Sequence, residues 1–183
     1  MLTPFTLDGA FSPQDCDRII DLARLRPLDE AGLVKNMADP AIRRAELAWL
    51  DERPGAEWVM DRIVETVARA NREAFDFALT DFAESAQVAR YGAEREGHFG
   101  WHSDIGAGAV AARRKLTMVV QLSEPSTYEG GILEVWPDGN VREAASARGA
   151  ATIFPSFHLH RVTPVTAGER WSLTIWAHGP AFR

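Results

Sequence analysis

The 183-residue sequence predicts an α+β domain, mainly β, with N-terminal helices packed on one face of a β-sandwich or barrel. Three observations predict it. Apolar residues recur at helical spacing in two stretches before Phe75. From Phe75 onward, short extended runs are separated by turn residues. The length suits one domain with its own core and is short for two. The expected organisation is a single domain over 1–183, with 1–80 mostly helical support and 81–183 the barrel core.

The elements follow in order. Ser12 and Pro13 are a helix N-cap and first helical position. Behind them Cys16, Ile19, Ile20, Leu22 and Ala23 keep the helical period to about Leu25. Ala45 to Leu50 reads as a strand ending in Trp49. A second helix is expected from Ala56 to Phe75, its buried stripe Trp58, Val59, Ile63, Val67 and Ala70. Strands are expected at Phe75–Leu79, Ser85–Tyr91, His98–Asp104, Lys115–Leu122, Gly131–Trp136, Gly149–Phe154, His158–Val165 and Arg170–Ala177. Turn signals between them include Gly92, Gly106, Gly108, Gly130–Gly131, Pro137-Asp138-Gly139-Asn140 and Ala167–Gly168. Gly130–Gly131 reads as a turn or bulge where backbone approaches closely. In Leu116-Thr117-Met118-Val119 one alternate set lines the barrel, and the pattern leaves open which.

Composition narrows the function. Hydrophobic residues are 46% and charged residues 25%, the balance of a soluble globular protein. A net charge of −6 argues against nucleic acid as the main partner, since phosphate binding needs a basic footprint. Cys16 is the only cysteine, so an intrachain disulfide and a cysteine-rich zinc site are both excluded. The opening residues carry no secretory signal pattern and no apolar run reaches the length of a membrane span. The expectation is therefore a cytoplasmic protein without a membrane partner; oligomeric state is left open.

His102 and Asp104 are two apart in a segment read as strand, where positions i and i+2 face the same way. The pair presents an imidazole and a carboxylate side by side, and His158, His160 and His178 are candidates for a third ligand. Two histidines and one carboxylate on one face of an octahedral iron leave three adjacent positions open. An isolated His-x-Asp is more often a surface pair or a hydrogen-bonded core pair. His98 and His178 read as structural or surface residues.

Several ordered segments raise the weight of that pair. They are Tyr91, then Phe99-Gly-Trp-His102-Ser-Asp104, then Arg114-Lys-Leu-Thr-Met-Val-Val-Gln-Leu-Ser123, then Tyr128-Glu-Gly-Gly131. Phe154-Pro-Ser, His160-Arg-Val-Thr-Pro-Val165 and Gly168-Glu-Arg170 complete them. In these the chain resembles the 2-oxoglutarate/Fe(II) dioxygenase superfamily, in its prolyl-4-hydroxylase-like branch. The resemblance covers roughly Ala45 to the C-terminus and is densest from Tyr91 to Gly179.

The resemblance implies a double-stranded β-helix, a jelly-roll barrel buttressed by the N-terminal helices. It implies Fe(II) held by His102, Asp104 and His160, with Mn, Ni or Zn able to substitute, and 2-oxoglutarate and O2 as co-substrates. His160 becomes the third ligand because it opens the His-Arg-Val-Thr-Pro-Val segment; His158 would face the same side of a regular strand. Arg170, ten residues beyond His160, has the family spacing for the cation that binds the distal carboxylate of 2-oxoglutarate, where an arginine fork matches a carboxylate. Ser172 shares its strand face. Tyr91 matches a family tyrosine that hydrogen-bonds the co-substrate, at a spacing one residue longer than in animal prolyl hydroxylases.

The implied activity is hydroxylation of an unactivated C–H bond of an amino acid, free or within a peptide, with release of succinate and CO2. A small-molecule or peptide substrate would be gripped by loops at the barrel mouth: Glu94–Phe99, Ile105–Arg113 and Asp29–Asp39. Two rival classes remain, a cupin-type metal dioxygenase without 2-oxoglutarate and a non-catalytic binding barrel. The Arg170–Ser172 pair discriminates against the first, and the intact triad against the second.

Overall fold

In the computed structural model, residues 2–25, 27–30, 42–52 and 54–182 are described. Two helices precede most of the strands. Helix α1 spans Pro13–Arg24 and α2 spans Glu57–Ala70. In chain order the strands are β1 Phe5–Leu7, β2 Asp29–Glu30, β3 Arg43–Arg44, β4 Glu46–Trp49, β5 Gln87–Gly92, β6 His98–His102 and β7 Arg114–Gln121. They continue as β8 Tyr128–Gly130, β9 Leu133–Trp136, β10 Arg142–Glu143, β11 Ala151–Pro155, β12 Leu159–Val162 and β13 Val165–His178.

Helix α1 starts where its cap dictates. The Ser12 hydroxyl accepts from the Asp15 backbone N–H, and the Asp15 carboxylate accepts from the Ser12 backbone N–H in return. It buries Cys16, Ile19 and Ala23; α2 buries Val59, Ile63, Thr66, Val67 and Ala70. No described helix is long and apolar enough to cross a membrane.

The larger sheet runs β1-β11-β7-β13-β5-β4-β2, with β8 paired to the start of β13; the smaller runs β10-β9-β12-β6-β3. Every pairing between them is antiparallel. Side chains alternate across the larger sheet. Leu116, Met118, Val120, Leu173 and Ile175 pack against the helices in the main core. The opposite face meets the smaller sheet: Leu47, Ala89, Tyr91, Val119 and Phe154 pack with Leu133, Val135 and Val162. The barrel therefore has a mostly apolar floor on its helix side and a lined interior between its sheets, and Thr117 and Val119 belong to the interior set. This is the jelly-roll barrel with supporting helices.

Several expected strands change; His158–Val165 is cut to Leu159–Val162, and Arg170–Ala177 lengthens to Val165–His178. Phe75–Leu79 is not a strand: the helix runs on through a wider turn, Asn71–Phe75, closed by Asp76 N–H donating to Asn71 O at 2.8 Å. The Asn71 side chain then holds the Phe77 backbone at both N–H and C=O, and Phe75 and Phe77 pack into the core as a surface-hugging segment. The expected Gly131–Trp136 strand begins at Leu133, because Gly130 and Gly131 both take positive φ (75° and 61°). A Cβ on Gly130 would lie 2.1 Å from the Pro164 carbonyl oxygen, so glycine is required there. Of the proposed mouth loop Asp29–Asp39, Asp29–Glu30 form β2 and the rest lies outside the described residues.

The larger sheet is tied to the segment beyond α2 by charge. Glu84 pairs with Arg114 at 2.6 Å and accepts from His178 Nε2 at 3.1 Å; His178 Nδ1 accepts from the Ala83 N–H, which fixes that tautomer. Burial raises the Glu84 pKa, but hydrogen bonds from Arg114 and His178 and the charge of Arg114 outweigh it and hold the carboxyl below its usual range. A depressed carboxylate stabilises the fold above its unfolded pKa of about 4.3, and that contribution disappears as pH falls through the folded value. Glu84→Gln is expected to lose about 1.5–3 kcal/mol at pH 7. Urea denaturation should show the gap to wild type shrinking from pH 5 downwards; an equal gap at pH 7 and pH 3 would contradict the pairing.

Candidate active site

The site forms where the smaller sheet meets the end of β7. Strands β6 and β12 are neighbours, and His102 and His160 are register partners. Further along, Val162 pairs with Phe99, so two steps on β12 oppose three on β6. This bulge puts Phe99 and His102 on the same face although they are three apart. Their rings stack with centroids 3.5 Å apart and planes 14° from parallel, while Trp101 is turned outwards.

The expected strand His98–Asp104 ends at His102. Asp104 is positioned by a different device. The N–H groups of Asp104 and Ile105 both donate to the Ser156 carbonyl (2.9 and 3.2 Å), and Arg114 Nη1 donates to the Asp104 carbonyl at 2.8 Å. The carboxylate is then aimed at the two imidazoles. His102 Nε2 is 3.6 Å from Oδ1 and His160 Nε2 is 3.4 Å from Oδ2. All three ligand atoms lie within 4.8 Å of one another. Ligands about 2.1 Å from one ion and at right angles are about 3 Å apart, so a small contraction closes this set on a metal.

The local chemistry prepares the ligands. Each imidazole Nδ1 faces the backbone carbonyl two residues earlier, His102 on Gly100 at 2.8 Å and His160 on His158 at 3.1 Å. A carbonyl accepts only, so Nδ1 carries the proton and the Nε2 lone pair points at the site. Burial, then repulsion from His160, pulls the His102 pKa down to about 4 against the attraction of Asp104. For Asp104 burial pushes upwards, but His160, His102 and neighbouring donors prevail and its pKa is lowered. At neutral pH His102 is an imidazole and Asp104 a carboxylate, the forms a metal needs.

Thr117 supports Asp104 from the larger sheet. It is fully buried, donates to Asp104 Oδ2 at 2.7 Å, and lies 3.1 Å from Ser156 Oγ. The Trp176 indole N–H lies beside the carboxylate and favours its charge, without a partner in hydrogen-bond geometry among the described residues. Thr117→Val keeps the shape and removes the donor. It is expected to weaken metal binding about 10–100-fold, the usual loss for a residue that orients a ligand. Metal titration of the folded variant checks this; unchanged affinity would remove Thr117 from the site.

A second polar cluster lies deeper along β13. Arg170 is 2% exposed. Its Nε donates to Gln121 Oε1 at 3.0 Å and its Nη1 to Ser172 Oγ at 3.3 Å. Gln121 in turn donates to the Tyr128 hydroxyl at 2.8 Å. Tyr91 is the register partner of Arg170, with its ring 5.6 Å from the guanidinium carbon; its hydroxyl has no hydrogen-bond partner among the described residues. A cavity of about 290 Å³, lined in part by Gln121, Tyr128, Gly131, Leu133 and Arg170, opens onto this group. Burial lowers the Arg170 pKa, yet a guanidinium stays charged in proteins. Among the described residues no carboxylate pairs with it. It is a buried cation surrounded by neutral acceptors.

His158 takes a different place from the one regular alternation implies. It sits in the turn before β12, its N–H donating to the Pro155 carbonyl at 2.9 Å, and its ring packs edge-on against Phe157. It contributes to the site through its carbonyl on His160. His98 lies near the surface with Nδ1 on the Glu96 carbonyl. Gln121, Ser156 and Tyr128 stand within the segments that carry the resemblance, but the sequence assigns none of them a role. Gln121 left one signal: a polar residue at the end of the apolar run Met118-Val119-Val120, a pattern that demands a buried partner.

A jelly-roll barrel holding two histidines and a carboxylate within reach of one ion defines a candidate mononuclear metal enzyme. A family model described as the 2OG-Fe(II) oxygenase superfamily matches residues 86–178, half of the chain, and the chain belongs to that superfamily. It is 38% identical over 81 residues to a PKHD-type hydroxylase of Hyphomonas neptunium. That match covers 43% of this chain and spans little more than a third, 36%, of the relative's length. The fold is similar to a Trichoplax adhaerens prolyl hydroxylase solved with a hypoxia inducible factor oxygen degradation domain peptide fragment. There the TM-score is 0.76 at 17% identity, over 96% of this chain and 83% of that one. A Pseudomonas putida prolyl-4-hydroxylase gives a TM-score of 0.71 at 23% identity, over 98% of this chain and 94% of that one.

Proposed function

We propose that the chain is an Fe(II)- and 2-oxoglutarate-dependent oxygenase, one catalytic unit over 1–183, that hydroxylates an unactivated C–H bond of an amino acid, free or in a peptide. His102, Asp104 and His160 hold the metal; Arg170, with Ser172 and Tyr91 beside it, holds the distal carboxylate of 2-oxoglutarate. The observation that carries the reading is Arg170, a cation almost wholly buried with no carboxylate beside it among the described residues, in the same barrel interior as the triad. Such a charge is costly unless an anion completes it.

Register sets the spacing. The Arg170 guanidinium reaches the row of Ser172 and Gln121, whereas Asp104 is held at the row of Trp176 and Thr117. Same-face rows are about 7 Å apart, so two rows leave about 14 Å along the strands for coordination bonds and an extended five-carbon dicarboxylate. A cupin-type enzyme without 2-oxoglutarate has no use for this cation.

Bound there, iron with 2-oxoglutarate and O2 would supply the oxidising power for hydroxylation, with succinate and CO2 as co-products. The chain contributes the rest. Asp104 and the Nε2 atoms of His102 and His160 would hold the metal. Phe99 and Phe154 pack against the His102 and His160 rings and limit their rotation. The apolar lining of Val119, Leu133 and Val135 excludes bulk water. The peptide in the Trichoplax structure, together with the PKHD-type hydroxylase relative, supports amino-acid or peptide substrates by analogy. Incubation with Fe(II), 2-oxoglutarate, O2 and panels of amino acids, proline-containing peptides and oligonucleotides tests it. Substrate-coupled succinate is expected with the first two panels; a response to oligonucleotides alone overturns the substrate assignment.

A further inference from the structure

The triad and Arg170 leave a second cation without a role. Arg43 opens β3 at the edge of the smaller sheet, in register with Phe99 of β6. Its side chain crosses to the larger sheet, where Nη2 donates to Gln87 Oε1 at 2.7 Å. Its guanidinium carbon lies 4.5 Å from the centre of the Phe99 ring, the ring that stacks on His102 at 3.5 Å. Nε is buried and has no acceptor among the described residues. Arg44, Arg90, Arg95, Arg113, Arg114 and Arg161 each pair with a carboxylate. Arg43 has no such partner among the described residues, although Gln87 occupies the position where one would compensate it.

We infer that Arg43 binds a carboxylate of the substrate to be hydroxylated, so that the enzyme acts on a carboxylate-bearing amino acid. The inference rests on the oxygenase reading above and specifies its substrate. One neutral acceptor and one ring face leave the guanidinium undercompensated for its partial burial, and its fork matches a carboxylate. The second cation also occupies a separate place. Gln87 lies in the row of Thr174 and Val119, one row nearer the triad end than the row the Arg170 guanidinium reaches. A group held by Arg43 therefore lies towards β5 and Phe99, to one side of the β7–β13 track along which the dicarboxylate runs from Arg170 to the triad. With a net charge of −6 the protein as a whole repels anions, so a carboxylate needs a dedicated local cation to enter.

The test uses the full chain loaded with Mn(II) and N-oxalylglycine, an unreactive stand-in for iron and 2-oxoglutarate. Calorimetric titration compares free amino acids and their N-acetyl derivatives, which keep the carboxylate, with the corresponding primary amides. The expected binders are carboxylates, with the matching amide at least about 10-fold weaker. Arg43→Gln should lose that preference, binding acid and amide alike, and Arg43→Lys should fall between. N-oxalylglycine affinity of Arg43→Gln close to wild type shows that the variant is folded and its co-substrate end intact. Equal binding of acid and amide by wild type, undiminished preference in Arg43→Gln, or no binding of any carboxylate overturns the inference while leaving the oxygenase reading standing. A loss of N-oxalylglycine affinity in Arg43→Gln as large as the loss for the acid overturns it too, by moving Arg43 to the co-substrate. Failure of wild type to take up Mn(II) and N-oxalylglycine strikes the oxygenase reading itself, and the inference with it.

Discussion

Replacing Asp104 with alanine is expected to weaken Fe(II) binding by well over about 100-fold, beyond the 10–100-fold typical of a residue that merely orients a ligand. Substrate-coupled succinate formation should fall to background. The same change should leave the metal-free fold intact. Asp104 is a buried carboxylate between two imidazoles, so its removal also removes a desolvated charge. Thermal melts separate the effects: added Fe(II) or Mn(II) should raise the wild-type Tm and not that of Asp104→Ala. An Asp104→Ala protein that binds iron as tightly as wild type would show that the two histidines act without the carboxylate.

Arg170→Ala is the second large effect. It is expected to weaken 2-oxoglutarate by about 2–5 kcal/mol, roughly 30-fold to several thousand-fold, while iron affinity is retained. The neighbours predict the pattern. With Arg170 removed, Gln121 and Ser172 remain as neutral partners for a carboxylate but supply no charge. Arg170→Lys restores charge without the planar fork and should recover part of the affinity. Titration of 2-oxoglutarate into the iron-loaded, oxygen-free variants reads both. Equal affinity in wild type and Arg170→Ala would place the anchor elsewhere.

Much of this was legible from residue types alone, for local reasons. Helix α1 announces itself through Ser12, Pro13 and Asp15, whose side chains and ring fix the first turn without tertiary help. The strands that flank the site alternate cleanly because one face meets the helices and the other the barrel interior. The failures share a cause, which is dependence on distant partners. Phe75–Leu79 alternates like a strand, but the Asn71 side chain occupies the Phe77 backbone groups, and its apolar residues are buried by packing instead. His-x-Asp suggested a site, yet strand alternation is not what aligns it: β6 stops at His102 and the Ser156 carbonyl positions Asp104. The bulge that brings Phe99 onto His102 is visible only in the register with β12. Periodicity could not separate His158 from His160, because the turn that rotates His158 away is set by a hydrogen bond to Pro155.

The most direct measurement is an oxygen-free titration of the metal-free protein with Fe(II) and then 2-oxoglutarate, followed by calorimetry and by the visible absorption that arises when the co-substrate chelates the metal. The account predicts one Fe(II) per chain, 2-oxoglutarate binding that depends on that iron, and release of succinate once oxygen is admitted. Iron that binds equally well after His102, Asp104 and His160 are each replaced by alanine would contradict it, as would 2-oxoglutarate that fails to bind the iron-loaded wild type.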